Sequence, residues 1–168
     1  PGLEYAGVVA WRGPEAGDHL AVGAPVLVDG LHAGPRSLGD YQQWGGWATW
    51  AVAPGDAVLP IPGALGFDQA CNLLGNYETA YHCLVARGRL RPGETVLLHG
   101  ATGGTGLAAV QLARLLGATV IATGRSASKL AAVRAEGADH TIVLHSDESG
   151  LRPFRDEVER YGHYSLAA

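Results

Sequence analysis

Between strand-like and helix-like stretches the chain reads His99-Gly100-Ala101-Thr102-Gly103-Gly104-Thr105-Gly106. Ala101, Gly103 and Gly106 stand at the spacing G-x-G-x-x-G, with alanine in the first place. These residue types at this spacing can hold a diphosphate. A small residue at 101 permits a sharp turn, a missing side chain at 103 lets backbone approach phosphate oxygens, and none at 106 lets a helix pack against its strand. Thr102, Gly104 and Thr105 complete a loop whose N–H groups, with the positive end of the helix, attract the anion. A glycine-rich run can also be only a turn, so its context decides. No Lys-Ser/Thr pair follows Gly106, which excludes a P-loop.

About twenty positions later the chain reads Ala122-Thr123-Gly124-Arg125-Ser126-Ala127-Ser128-Lys129. Folds that prefer NAD place an acid here to bind the ribose 2′-hydroxyl. This segment has none. Arg125, Ser126 and Lys129 can instead surround a 2′-phosphate through charge-assisted hydrogen bonds. The alternative is a solvated helix start with serine as its N-cap. The phosphate reading predicts tighter binding of NADPH than of NADH.

The elements that must position these groups change period along the chain. Tyr5 to Ala10, Pro25 to Val28 and Trp47 to Ala53 read as short strands separated by Gly/Pro turns, the pattern of a small barrel or sandwich. Leu59-Pro60-Ile61-Pro62-Gly63 is a stiff connector, which divides the chain into modules at 1–62 and 63–168. Asp68 to Arg87 is helical in composition, with a break near Gly75 and a cap at Gly88. Thereafter strands over Thr95–His99, Thr119–Thr123 and Thr141–Leu144 alternate with helices over Gly106–Leu116, Ser128–Glu136 and Pro153–Arg160. Leu107, Val110, Ala113 and Leu116 fall at helical spacing. Such alternation predicts an α/β fold with a parallel sheet of the doubly wound, Rossmann type. The glycine run then follows a strand and opens a helix, the context that favours the dinucleotide reading over the bare turn.

Composition narrows the function further. At 168 residues and 47% apolar, the chain is long and apolar enough for a core. Its net charge of −4 and scattered basic residues disfavour a nucleic-acid partner. No apolar run reaches the roughly 18 residues that span a bilayer, and no secretory signal opens the chain. Cys71 and Cys83 suggest no disulfide framework, which fits a reducing cytoplasm, and both read as small buried apolar groups. His19 and His32 have no cysteine neighbours and read as exposed loop residues. His82 and His99 are read as core or cleft residues without a catalytic role. The start on Pro1-Gly2, with no Met anywhere, reads as a trimmed or partial chain.

On these residues the chain resembles the medium-chain dehydrogenase/reductase superfamily, and within it the zinc-independent, zeta-crystallin-like quinone oxidoreductases. The likeness covers nearly the whole chain. It is carried by Pro1-Gly2-Leu3-Glu4-Tyr5-Ala6-Gly7-Val8-Val9, by Trp47-Ala48-Thr49-Trp50-Ala51-Val52 with Leu59-Pro60-Ile61-Pro62, by Thr79-Ala80-Tyr81-His82, and most specifically by Arg91 to Lys129. The resemblance implies a partial GroES-like catalytic module followed by a partial Rossmann module, with NADPH in the cleft between them. It implies hydride transfer to a quinone or an activated carbon–carbon double bond. The partners implied are a small-molecule substrate, without nucleic acid or membrane, and a homo-oligomer.

Zinc-dependent relatives carry Gly-His-Glu where this chain has Gly2-Leu3-Glu4, and leucine offers no lone pair. Their structural zinc lobe needs four close cysteines, and none lies between Val28 and Trp47. Without a metal, a developing oxyanion needs hydrogen-bond donors. Asn76, Tyr77 and Thr79 are the polar candidates, with Thr79 favoured by its match to the family helix. The alternative is that Asn76 caps a helix and Tyr77 belongs to the core.

The chain also departs from the pattern. Gly23-Ala24-Pro25-Val26 stands where the family has Gly-Asp-Arg-Val. Only three strands of a six-stranded sheet can be counted, and Tyr161 to Ala168 does not read as a fourth. A sheet that stops at its switch point predicts weak binding and self-association through exposed edges. Two functions follow: an NADPH-dependent reductase seen in part, or a catalytically silent nucleotide-binding or oligomerisation fragment.

Overall fold

The computed structural model describes residues 2–144, 158 and 160. The chain divides into two compact units, Pro1–Gly75 and Asn76–Ala168. The segment 63–75, expected with the second module, therefore groups with the first. In that segment α1 (Phe67–Ala70) packs against β1 (Tyr5–Val8).

The first unit holds an antiparallel sheet in the order β1, β2 (Pro25–Val28), β3 (Val58–Pro60). Tyr5 faces Val28, and Val26 faces Pro60. Val26, Leu27 and Val28 are buried. Val28 joins Ala33 and Ala57 in a small core, against which Tyr5, Tyr41, Ala53 and Val58 pack. The strands expected near Tyr5 and Pro25 are present, but Trp47–Ala53 is irregular. That run lacks the alternation that buries one face of a strand, and Trp47 and Trp50 are 85% and 73% exposed. The third strand is instead cut from the expected connector. Pro60 is tolerated there because β3 pairs with β2 alone among the described residues.

The helical stretch breaks at Cys71–Asn72 and not at Gly75. A Cβ on Gly75 would lie 2.1 Å from Glu4 Oε1, so glycine there serves close approach rather than a helix break. Wide π-helical turns over Leu73–Glu78 and His82–Arg87 flank α2 (Thr79–Tyr81). Gly88 is the C-cap as expected, and Arg89 takes the left-handed φ of 52°.

The second unit has the predicted parallel sheet, in the order β4 (Thr95–Leu98), β5 (Thr119–Gly124), β6 (His140–Val143). Helices α3 (Gly104–Leu115) and α4 (Ala127–Ala135) make the crossovers. Alternate residues of each strand point to opposite faces. Val96, Val120 and Ala122 meet Ala108, Ala109, Val110 and Ala113 of α3, while Leu97, Ile121 and Ile142 form a second cluster with Val158. Burial on both faces is why these strands read as continuous apolar runs. The helix expected over Pro153–Arg160 and the segment 161–168 lie outside the described residues, apart from Val158 and Arg160. Among the described residues, no helix is long and apolar enough to cross a membrane.

Two side chains test this packing. Asp139 accepts the Val120 N–H at 2.8 Å and pairs with Arg114 at 3.2 Å, tying β6 to β5 and α3. Asp139→Ala leaves the Val120 donor without that partner, so denaturant unfolding should show a loss of about 1–3 kcal/mol. Tyr5 buries its hydroxyl with no partner among the described residues, and burial raises its pKa above the usual 10.0. A pKa raised on folding contributes stability that is present at lower pH and lost as pH rises through the folded value. Tyr5→Phe should leave stability near pH ~8 unchanged or higher, and should reduce the loss seen on going to pH ~11. Unfolding curves for both proteins at the two pH values check it.

Candidate functional site

The glycine run forms the turn from the carboxyl end of β4 into α3. Its geometry depends on two backbone approaches. Ala101 is fully buried and donates its N–H to the Thr123 carbonyl at 3.0 Å, which fastens the turn to β5. A Cβ on Gly106 would lie 2.6 Å from Gly100 O and 2.7 Å from Ala101 Cα, so α3 starts in contact with the turn. Gly103 differs. A Cβ there would have one neighbour within 4 Å, Gly100 O at 3.7 Å, so its side faces open space. Gly103 is also the N-cap of α3 and has no side chain to satisfy the first-turn amides. Thr102 turns inward, its methyl 3.0 Å from where a Cβ of Gly124 would stand. The result is a group of backbone donors at a helix start, an arrangement that can receive an anion.

Beside the turn lies a cavity of about 430 Å³. Gly103, Gly104 and Thr105 form one wall, and Asn76 and Cys83 belong to another. His99 also lines it. His99 Nδ1 lies 3.1 Å from Thr123 Oγ1, so Thr123 holds the turn by side chain as well as by backbone. Sequence reasoning missed Thr123 and gave His99 no role. The signal was present in the parallel register: Leu98 pairs with Ala122, which places the next two residues side by side. Cys83 is exposed and Cys71 is half-buried, against the expectation that both are core groups. In the stretch His82–Arg87 it is Leu84 that faces the interior.

The three polar candidates for oxyanion stabilisation are not brought to one point. Asn76 lines the cavity, and its Oδ1 accepts the Thr105 hydroxyl at 3.0 Å. Tyr77 donates its hydroxyl to Gln111 on the flank of α3 and packs on the core. Thr79 is exposed at the start of α2 and does not line the cavity. After β5, Ser126 caps α4, accepting the Lys129 N–H at 3.4 Å and sharing a hydrogen bond of 3.0 Å with Ser128. The Arg125 and Lys129 side chains are exposed. Among the described residues no three His, Cys, Asp or Glu groups are close enough to hold a metal ion.

Residues 104–158 match the family described as "Zinc-binding dehydrogenase". Over 160 residues the chain is 35% identical to the synaptic vesicle membrane protein VAT-1 homolog of Mus musculus, covering 95% of this chain and 35% of the relative. It is 44% identical over 145 residues to the spectinabilin polyketide synthase system protein NorB of Streptomyces orinoci, covering 86% of this chain and 6% of that protein. The chain thus spans a minor part of the length of these relatives. Among solved structures, the quinone oxidoreductase from Thermus thermophilus, determined also in complex with NADPH, superposes with a TM-score of 0.71 at 30% identity. That match covers 98% of this chain and 44% of the other. With its antiparallel sheet, its parallel sheet and its glycine turn, the chain is similar, over part of their length, to proteins of the medium-chain dehydrogenase/reductase type.

Proposed function

We propose that this chain is the nucleotide-binding part, with a share of the catalytic module, of an NADPH-dependent oxidoreductase that works without zinc. Its hydride acceptor is a quinone or an activated carbon–carbon double bond. The observation that carries the reading is the turn Ala101–Gly106, open at Gly103 and closed at Gly106, at the carboxyl edge of a parallel sheet. That is where such sheets bind dinucleotides. The residues are of the kind the cofactor needs: the start of α3 has no side-chain cap, and Arg125 and Lys129 follow the next strand. NADPH, when bound, supplies the hydride. The chain's own groups would bind the diphosphate through the amides of residues 104–106, since the Gly103 N–H is donated to Gly100 O, and hold the 2′-phosphate with Arg125, Ser126 and Lys129. Thr79, outside this cavity, is kept by its match to the family helix as the donor toward the acceptor oxygen.

Zinc independence rests on the donor set. By the resemblance, Leu3 stands where zinc-dependent relatives carry a ligand histidine, and no cysteine lies between Val28 and Trp47 where their structural zinc lobe would need four. The quinone acceptor is favoured by the likeness to the Thermus enzyme, and the double-bond acceptor by the likeness to the polyketide synthase protein. In this reading residues 1–62 belong to the GroES-like module and 63–168 to the nucleotide module, with 63–75 as the entry to the second module that packs within the first compact unit, and the protein works in a reducing cytoplasm on small molecules.

Titration of the chain with NADPH and NADH tests the reading. NADPH should bind tighter by about tenfold or more, the worth of one or two charge-assisted hydrogen bonds, and the double variant R125A/K129A should erase most of that difference. Equal affinities that the double variant leaves unchanged would refute the 2′-phosphate assignment. Oxidation of NADPH with a simple quinone then separates an enzyme from a silent binding fragment.

A further inference from the structure

The helix that carries the phosphate-binding amides is held from outside the glycine motif, by two consecutive residues. Asn76 Oδ1 accepts the hydroxyl of Thr105, in the first turn of α3, at 3.0 Å. The carboxamide lies over Gly104: a Cβ built there would be 2.7 Å from Asn76 Oδ1 and 3.0 Å from its Cγ and Nδ2. Tyr77, the next residue, donates its hydroxyl to Gln111, and Gln111 Nε2 in turn donates to Glu136 Oε2 at 2.7 Å. Thr105 and Gln111 are six residues apart, about 9 Å along a helix axis. One contact would let the helix pivot. Two contacts at that separation fix the direction in which its first-turn amides point.

The grip comes from the wide-turn stretch Leu73–Glu78, a winding that recurs at functional sites. Asn76, Gly104 and Thr105 also line the same cavity. The chemistry of the pair is specific. An amide oxygen accepts the Thr105 hydroxyl's hydrogen bond without adding charge, which leaves the anion to the backbone donors and keeps the turn free of a repelling carboxylate.

We propose that Asn76 is a positioning residue for the diphosphate-binding turn, acting through Thr105 and supported by the Tyr77–Gln111 contact. This rests on the NADPH reading above. It assigns Asn76 to cofactor binding and not to the oxyanion.

The test is a double-mutant cycle on the full chain with Asn76→Ala and Thr105→Val, read with two probes. NADPH engages the turn, whereas 2′-AMP carries the adenine and 2′-phosphate but no diphosphate. Each single variant should weaken NADPH by about three- to tenfold while 2′-AMP holds within about twofold of the wild type. The double variant should be no weaker than the weaker single, because both remove one interaction. Thr105→Ser, which restores the hydroxyl, should return to the wild-type value, and this arm carries the test if Asn76→Ala fails to fold. Wild-type NADPH affinity in Asn76→Ala, a parallel loss of 2′-AMP, or losses that multiply in the double variant would each overturn the proposal while leaving the cofactor reading intact. A wild-type chain that binds 2′-AMP but not NADPH would overturn the cofactor reading, and this inference with it.

Discussion

Helix α3 begins so close to the end of β4 that residue 106 has no room for a side chain. Any Cβ there would overlap Gly100 O and Ala101 Cα. This contact sets where the helix starts, and so where its unsatisfied first-turn amides face. The rest of the second unit follows from it. Ala108, Ala109 and Ala113 keep the helix low on the sheet, and Val96, Val120 and Ala122 fill the space beneath. A larger residue at 106 would lift the helix, separate these layers and turn the amides away from the gap at Gly103.

Thr123 is the counterpart on the sheet side. It is fully buried, yet both of its polar groups are used: the carbonyl holds Ala101 and the hydroxyl meets His99. A buried threonine near the carboxyl end of an apolar strand would be costly without partners. Here it makes the turn a fixed object, ready before any ligand arrives. Preorganisation of this kind lowers the ordering cost of binding. On the opposite flank, Asn76 and Tyr77 serve α3 in the same way.

Much of this was legible in the residues. The period change after Gly63 and the spacing of Ala101, Gly103 and Gly106 were enough for the parallel sheet and its first turn, because both depend on local pattern and backbone sterics. Elements that depend on distant partners were not. Trp47–Ala53 has the composition of a strand but too little alternation to bury, while Val58–Pro60 looks like a proline connector and still pairs with β2. Gly75 reads as a helix breaker from sequence alone; its neighbour Glu4 comes from seventy-one positions earlier. Asn76 and Tyr77 were noticed for their polarity, but their attachments at Thr105 and Gln111 lie about thirty residues away and leave no periodic trace. His99 and Thr123 were within reach through strand register, once β4 and β5 are known to be neighbours.

The central claim is that backbone amides at the start of α3 receive a diphosphate. Amide chemical shifts measured along a titration of the ¹⁵N-labelled chain with NADPH address it most directly. The account predicts that the largest changes fall on Gly103, Gly104, Thr105 and Gly106, with a second group at Arg125 and Ser126. Changes confined to other surfaces, with the amides of the turn unmoved at saturation, would contradict it.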